Sequence, residues 1–290
     1  MVGMLGGCSG PLAFDGSSVS IGATGDGTVR SPVELPVEGD GYTVPARWRL
    51  RHSNFGTDEL VGVVVRAARA VARALPGGTA AIGDLSRRAG GSSIEHKSHQ
   101  SGRDVDVFFY AVDGVGRPVA PGEAMIRYGV DGQALRWSPA HGFAPPAAPL
   151  PAYRFDAGRN WAFVRALLTD EDTEVQWIFI QRDLAALLLR AATGAGEDPA
   201  LVARAAFILH EPTDSEPHDD HMHVRLYCDP ADRRLGCADR GPVRWWKKEW
   251  KYMAPPYGRD DGRRAAAARA AAAVRDGELP VSLGAGALRG

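Results

Sequence analysis

Five of the eight histidines in this 290-residue chain fall in two short segments, EHKSHQSGRDVDVFFY from Glu95 to Tyr110 and EPHDDHMHVRLYC from Glu216 to Cys228. His99 and Asp106 stand seven positions apart, with Ser101 and Gly102 forming a turn between them. Asp106 belongs to the run Val105, Asp106, Val107, Phe108, whose alternation reads as the start of a half-buried strand. His221 and His223 are two apart in a second alternating run. A strand there puts both imidazoles on one face and Met222 and Val224 on the other. Two imidazoles and a carboxylate, with a fourth position left to water, are the donor set of a catalytic zinc site rather than a closed structural one. The other histidine of the pair is then free to work as acid or base. A lone histidine on a strand is usually a satisfied surface or core residue, but five crowded together with acids between them are not explained that way.

Zinc held by His99, Asp106 and His223 would acidify a water and polarise a carbonyl, and amide hydrolysis then needs a group to carry a proton to the leaving amine. No HExxH supplies a glutamate for this; His210 and Glu211 begin HEPTD, which lacks the second histidine. The first choice is His221, on the strand face of His223. The second is His218, as base or as donor to a developing oxyanion. Asp104 shares the strand face of Asp106 and reads either as a hydrogen-bonding support for a ligand or as a solvated acid. Arg225, on the face of His221 and His223, could bind a substrate carboxylate or form a structural ion pair.

The surrounding elements must position these groups. Thr57 is a helix cap, with Asp58 and Glu59 in the first turn of an apolar helix that ends at Pro76 and Gly77. AAIGDL (80–85) and VQWIFI (175–180) read as strands; residues 160–168, 182–192 and 199–209 read as helices. Between Tyr110 and Pro151 the density of Gly and Pro predicts long loops. The Trp245, Trp246, Trp250 and Tyr252 group either closes the core or forms a ligand-stacking platform. The expected fold class is α+β: a small antiparallel sheet carries the zinc site on one face, flanked by helices and long loops that wall a groove. Residues 1–40 are rich in Gly, Ser, Thr and Pro and read as a leader or linker. Residues 41–258 read as the peptidase domain and 259–290 as an Ala/Arg/Gly-rich tail.

Composition narrows the partners. At 44% hydrophobic the chain can bury a core, and a net charge of −1 with well-mixed signs argues against a nucleic-acid or anionic-membrane surface. No apolar run approaches the ~20 residues of a membrane helix. Cys228 and Cys237, close together in a loop-rich stretch, suit a disulfide and an oxidising compartment; free thiols or a thiolate pair on a metal are the alternatives, without the CxxC spacing usual for zinc. Cys8 in LGGCSG has the form of a bacterial lipoprotein cleavage box, although the residues before it lack the basic and apolar regions of a secretion signal. A lipid anchor and a chance match both stay open.

HKSHQSGRDVD together with HDDHMHVRLYC closely resembles the penicillin-insensitive murein endopeptidase family, in the fold group shared by lysostaphin-type, D-Ala-D-Ala-type and hedgehog-type zinc proteins. The resemblance extends to NFGTDELV (54–61) and IGDLS (82–86) and covers about Tyr42 to Cys237. It implies that His99, Asp106 and His223 bind zinc and that His221 and His218 are catalytic. It further implies cleavage of the D-alanyl to meso-diaminopimelyl cross-link between peptidoglycan stem peptides. The implied location is the periplasm, as an outer-membrane lipoprotein if Cys8 is lipidated. The family also carries an Asp-x-x-His segment which, with the histidine matching His96, has been assigned to a second metal. The nearest match here is Asp156, Ala157, Gly158, Arg159. The missing histidine argues against a second zinc and leaves His96 to line the cleft or to support the site by a hydrogen bond. Two rivals remain: a D,D-carboxypeptidase or dipeptidase of the same fold, with a basic residue closing the groove, and a non-catalytic zinc-bearing wall-binding module. The presence of His218 and His221 beside the full ligand set argues against the module.

Overall fold

The computed structural model describes residues 16–138, 142–144, 152–213 and 215–241; Cys8, the Trp245, Trp246, Trp250 and Tyr252 group and the 259–290 tail lie outside them. Val19–Ala23 (β1) and Asp26–Arg30 (β2) pair as an antiparallel hairpin. This corrects the reading of residues up to 40 as a linker, because Ser18, Ser20, Ala23, Val29 and Leu35 are all buried. The composition misled because polar contacts hold the hairpin. Ser18 Oγ donates to the buried Asp58 carboxylate, and Ser20 N donates to Asp232 Oδ2 at 2.8 Å.

The Thr57 hydroxyl accepts from Leu60 N at 3.3 Å and caps the helix Asp58–Ala74 (α1). Leu60 to Val65 are buried all round, and beyond them Ala67, Ala68 and Val71 continue one buried side. The strand expected over 80–85 shrinks to Ala80–Ala81, followed by a single bridge from Ile82 to Val107. Beyond it the backbone at Gly83 runs tightly against the next strand: a Cβ there would sit 3.2 Å from that of Asp106.

Asp104–Phe108 (β3) follows the Gly102 turn. The Gly- and Pro-dense stretch after Tyr110 is more ordered than expected. Arg127–Tyr128 (β4), Ala134–Ser138 (β5) and Gly142–Ala144 (β6) form an antiparallel ribbon. The chain continues through Ala157–Leu168 (α2), Val175–Phe179 (β7), Arg182–Gly194 (α3), Pro199–Ile208 (α4), Leu209–His210 (β8) and His221–Leu226 (β9).

The main sheet has the order β8-β7-β9-β3, and the class is α+β. It is antiparallel across β7, β9 and β3, where the site lies, but its β7–β8 edge is parallel. The parallel edge arises because α3 and α4 carry the chain back to the same end of the sheet. Val105, Val107, Ile178, Met222 and Val224 are all 0% exposed and join the helices in one core. Burying each is worth roughly 1.5–3 kcal/mol, so a one-residue slip, which would swap both faces, is strongly disfavoured. That register sets the opposite face into two rows, Phe179–His223–Asp106 and Trp177–Arg225–Asp104.

Candidate metal centre

The site is built on Asp106, which is 1% exposed in the second strand of the sheet's outer pair. Three imidazole nitrogens surround its Oδ1: His99 Nε2 at 3.3 Å, His221 Nε2 at 3.4 Å and His223 Nδ1 at 3.4 Å. These contacts lie off the hydrogen-bonding direction, and Asp106 Oδ1 and His99 Nε2 are buried without a hydrogen-bond partner. Leaving such atoms unpaired in a dry interior is costly, so the arrangement calls for a shared cation. Donors around a tetrahedral zinc at about 2.0–2.1 Å are about 3.3–3.4 Å apart, which matches the distance from Asp106 Oδ1 to each of the three nitrogens.

The tautomers follow from what lies behind each ring. A carbonyl or carboxylate can only accept, so the ring nitrogen facing it must carry the proton. His99 Nδ1 donates to Leu85 O at 2.9 Å, His223 Nε2 to Asp104 Oδ1 at 2.9 Å and His221 Nδ1 to Asp220 Oδ1 at 2.6 Å. In each case the remaining nitrogen faces Asp106. Ligating histidines show the same pattern of outer hydrogen bonds.

Local backbone geometry supports this aim. His99 and His218 both adopt left-handed conformations, with φ of 64° and 53°, a strain of order 1–3 kcal/mol each that surrounding bonds must hold. His99 N donates to Asp104 Oδ2 at 3.2 Å, and His218 O accepts from Gln181 N at 3.0 Å. Gly102, with φ of 76°, makes the turn into β3, and its carbonyl accepts from Thr57 N at 2.9 Å, tying the turn to the start of α1.

Electrostatics separates the groups. Burial works against ionisation of both acids, yet Arg225 and His223 hold Asp104, and His99 and His221 hold Asp106, well below the usual carboxylate range. Burial would lower His221, but the Asp106 charge and the Asp220 hydrogen bond carry it up to about 10. His99 is raised in the same way, the Asp106 charge overcoming burial. His223 falls to about 3 through burial and the neighbouring His99 charge. His218 is also lowered, by burial and by His221, whose ring centroid is 4.9 Å away. Asp106 thus draws positive charge onto the side of His99 and His221, where a divalent cation would compete with protons.

The remaining expected residues divide. Asp104 is fully buried and bonds His223, Arg225 and the His99 backbone, which makes it a support and not a solvated acid. Arg225 takes the ion-pair alternative, Nε donating to Asp104 at 2.6 Å, with its guanidinium over Phe179. Asp156 is the cap of α2, accepting from Arg159 N at 3.0 Å and pairing with the Arg159 guanidinium at 2.6 Å. Its carboxylate is committed to that helix end by the very arginine that stands where the second-metal histidine was sought. Cys228 and Cys237 are joined, with Cα atoms 6.0 Å apart.

His96 lies 2.8 Å from Asp84 Oδ2 and 3.8 Å from Asp106 Oδ2 through Nε2. With His99 and Asp106 it forms a compact trio offering one atom each within 4.8 Å. Two donor sets therefore share His99 and Asp106, and His223 completes the one whose free nitrogen faces Asp106 Oδ1. Asp84, Asp220, Asp219 and Arg127 were missed as site residues. Asp84, an acid in the apolar run AAIGDL, is 1% exposed, and the acids of HDDH lie between two singled-out histidines; both were visible signals.

A model of penicillin-insensitive murein endopeptidases matches residues 20–120, the part that carries His96, His99 and Asp106. The penicillin-insensitive murein endopeptidase of Salmonella arizonae is 31% identical over 232 residues, spanning 78% of this chain and 71% of that protein. The Escherichia coli O1:K1 protein of the same name is 30% identical over 231 residues, with the same two coverages. The chain is a member of the penicillin-insensitive murein endopeptidase family.

Proposed function

We propose that the protein is a zinc-dependent D,D-endopeptidase that hydrolyses the D-alanyl to meso-diaminopimelyl cross-links of peptidoglycan in the periplasm. The observation that carries this is the convergence of three tautomer-fixed imidazoles on the unpartnered Asp106 Oδ1. His99 through Nε2, Asp106 through Oδ1 and His223 through Nδ1 would hold the metal. Zn2+ bound there supplies Lewis acidity toward the scissile carbonyl and acidifies a water.

The chain's own groups do the rest. His221 has a 17% exposed side chain against 7% for His223, so it is the member of the pair able to exchange protons with substrate. Once Asp106 is shared with a cation its push on His221 weakens, and His221 Nε2 takes a proton from the attacking water and passes it to the leaving amine. His218 donates Nδ1–H to Glu216 O at 2.8 Å, so its neutral ring presents Nε2 as an acceptor. That favours a supporting base over an oxyanion donor. Arg225 is tied to Asp104 through Nε, which supports a structural ion pair over a terminal-carboxylate clamp and so favours an endopeptidase over a carboxypeptidase. The disulfide supports an oxidising compartment.

The test is digestion of purified cross-linked peptidoglycan by the zinc-loaded full chain, with a chelated control and mass analysis of the muropeptides. The full chain is needed because β1 and β2 are packed into the body. Conversion of dimers to monomers, abolished by the chelator, is expected. Loss of terminal D-Ala with dimers intact would make the protein a carboxypeptidase, and no cleavage with one zinc bound would make it a wall-binding module.

A further inference from the structure

The structure packs both acids inside HDDH against functional elements. Asp220 Oδ1 lies 2.6 Å from His221 Nδ1. Neighbouring residues in a strand point to opposite faces, so this contact requires the chain to leave strand geometry at Asp220, and β9 does begin at His221. The segment is anchored on both sides. Asp219 O accepts from Tyr128 N at 2.8 Å and its carboxylate accepts from Arg127 Nε at 2.9 Å, while His218 O is held by Gln181 N. Asp219 is 8% exposed, so the first acid is spent on fixing the backbone to β4 and the second is left facing the imidazole.

We propose that Asp220 is a positioning residue for His221. Its carboxylate accepts the Nδ1 proton, which fixes the tautomer and ring orientation that aim Nε2 at the Asp106 side of the centre, 3.4 Å from Oδ1. The inference rests on the reading of His221 as the proton carrier. Its basis is the hydrogen-bond geometry and the anchored loop.

The test compares wild type, D220A, D220E and H221A as full chains. In 15N-histidine-labelled protein, long-range 1H–15N NMR should show a downfield, slowly exchanging Nδ1 proton on His221 that disappears in D220A and returns in D220E. Zinc content and melting temperature should stay at wild-type values. In D220A kcat should fall about 10- to 100-fold, with KM within a few-fold, as is usual for outer partners of functional histidines. A wild-type Nδ1 signal in D220A, or kcat within twofold while H221A is inactive, would overturn the role of Asp220. Loss of zinc or folding in D220A would make it structural. If H221A itself hydrolyses cross-links with zinc bound, the underlying assignment of His221 fails instead.

Discussion

Asp104 and Asp106 lie two residues apart on one face of β3, both buried, each paired across the ladder with a residue of β9. Asp104 is saturated by Arg225 Nε, His223 Nε2 and His99 N. Around it Arg103 donates to Leu226 O at 2.8 Å and Asp239 at 3.2 Å, and Asp239 accepts from Cys228 N at 2.7 Å beside the disulfide. Asp106 is bordered by the imidazoles of His99, His221 and His223, but its Oδ1 has no hydrogen bond. A buried carboxylate whose oxygens are filled by the protein is scaffold, whereas one left open among nitrogen donors is a candidate binding group. Five positions along the same two strands thus separate structure from chemistry.

The largest effect expected is on the open acid. D106A should reduce bound zinc from one per chain to near zero and lower kcat/KM by about 10³-fold or more, with little change in melting temperature. Stoichiometric zinc and normal turnover in this variant would erase the contrast between the two acids. The reverse profile is expected for D104N. Leaving the half-buried Arg225 without its buried carboxylate partner should cost about 1–3 kcal/mol in denaturant unfolding, while zinc affinity weakens only about 10- to 100-fold and is recovered at high zinc.

The scaffold end sharpens the comparison further. Replacing both cysteines by serine (C228S with C237S) opens a loop of nine-residue separation and should cost about 2–3 kcal/mol, leaving zinc affinity unchanged. Glu59, beside this end, is raised to about 7 by burial, with the Asp58 and Asp232 charges adding to it. Its carboxyl keeps a proton on folding that the unfolded chain has released, so its contribution to stability is full below about pH 4.5 and is lost as pH rises through 7. Relative to E59Q, the wild type should therefore lose about 1–3 kcal/mol between those limits, the lower figure allowing for partial solvent screening. Parallel pH–stability curves for the two proteins would show that Glu59 is relaxed.

Much of the site was legible because strand periodicity is local. The alternation in HMHVRL placed His221, His223 and Arg225 on one face and Met222 and Val224 in the core, as found. The cap at Thr57 was equally local. The hairpin at 19–30 was not, because its burial rests on partners such as Asp58 and Asp232, 40 and 212 residues away. Nor was the ribbon of β4, β5 and β6, where Gly129 and Gly132, which suggest a loop, serve the turn between β4 and β5. Arg225 and Asp156 could be read two ways until their neighbours were known.

Residue type and spacing by themselves marked the candidate donors and the face they occupy, since donor chemistry and a period of two are properties of the chain, and the resemblance of the two motifs pointed to the family. Which nitrogen of each imidazole is free, which acid is open and which is filled, and the place of Asp220 behind His221 were decided only in the tertiary structure. They depend on contacts such as Asp104 with His223, 119 residues apart, and the packed register alone brings such partners within hydrogen-bonding distance.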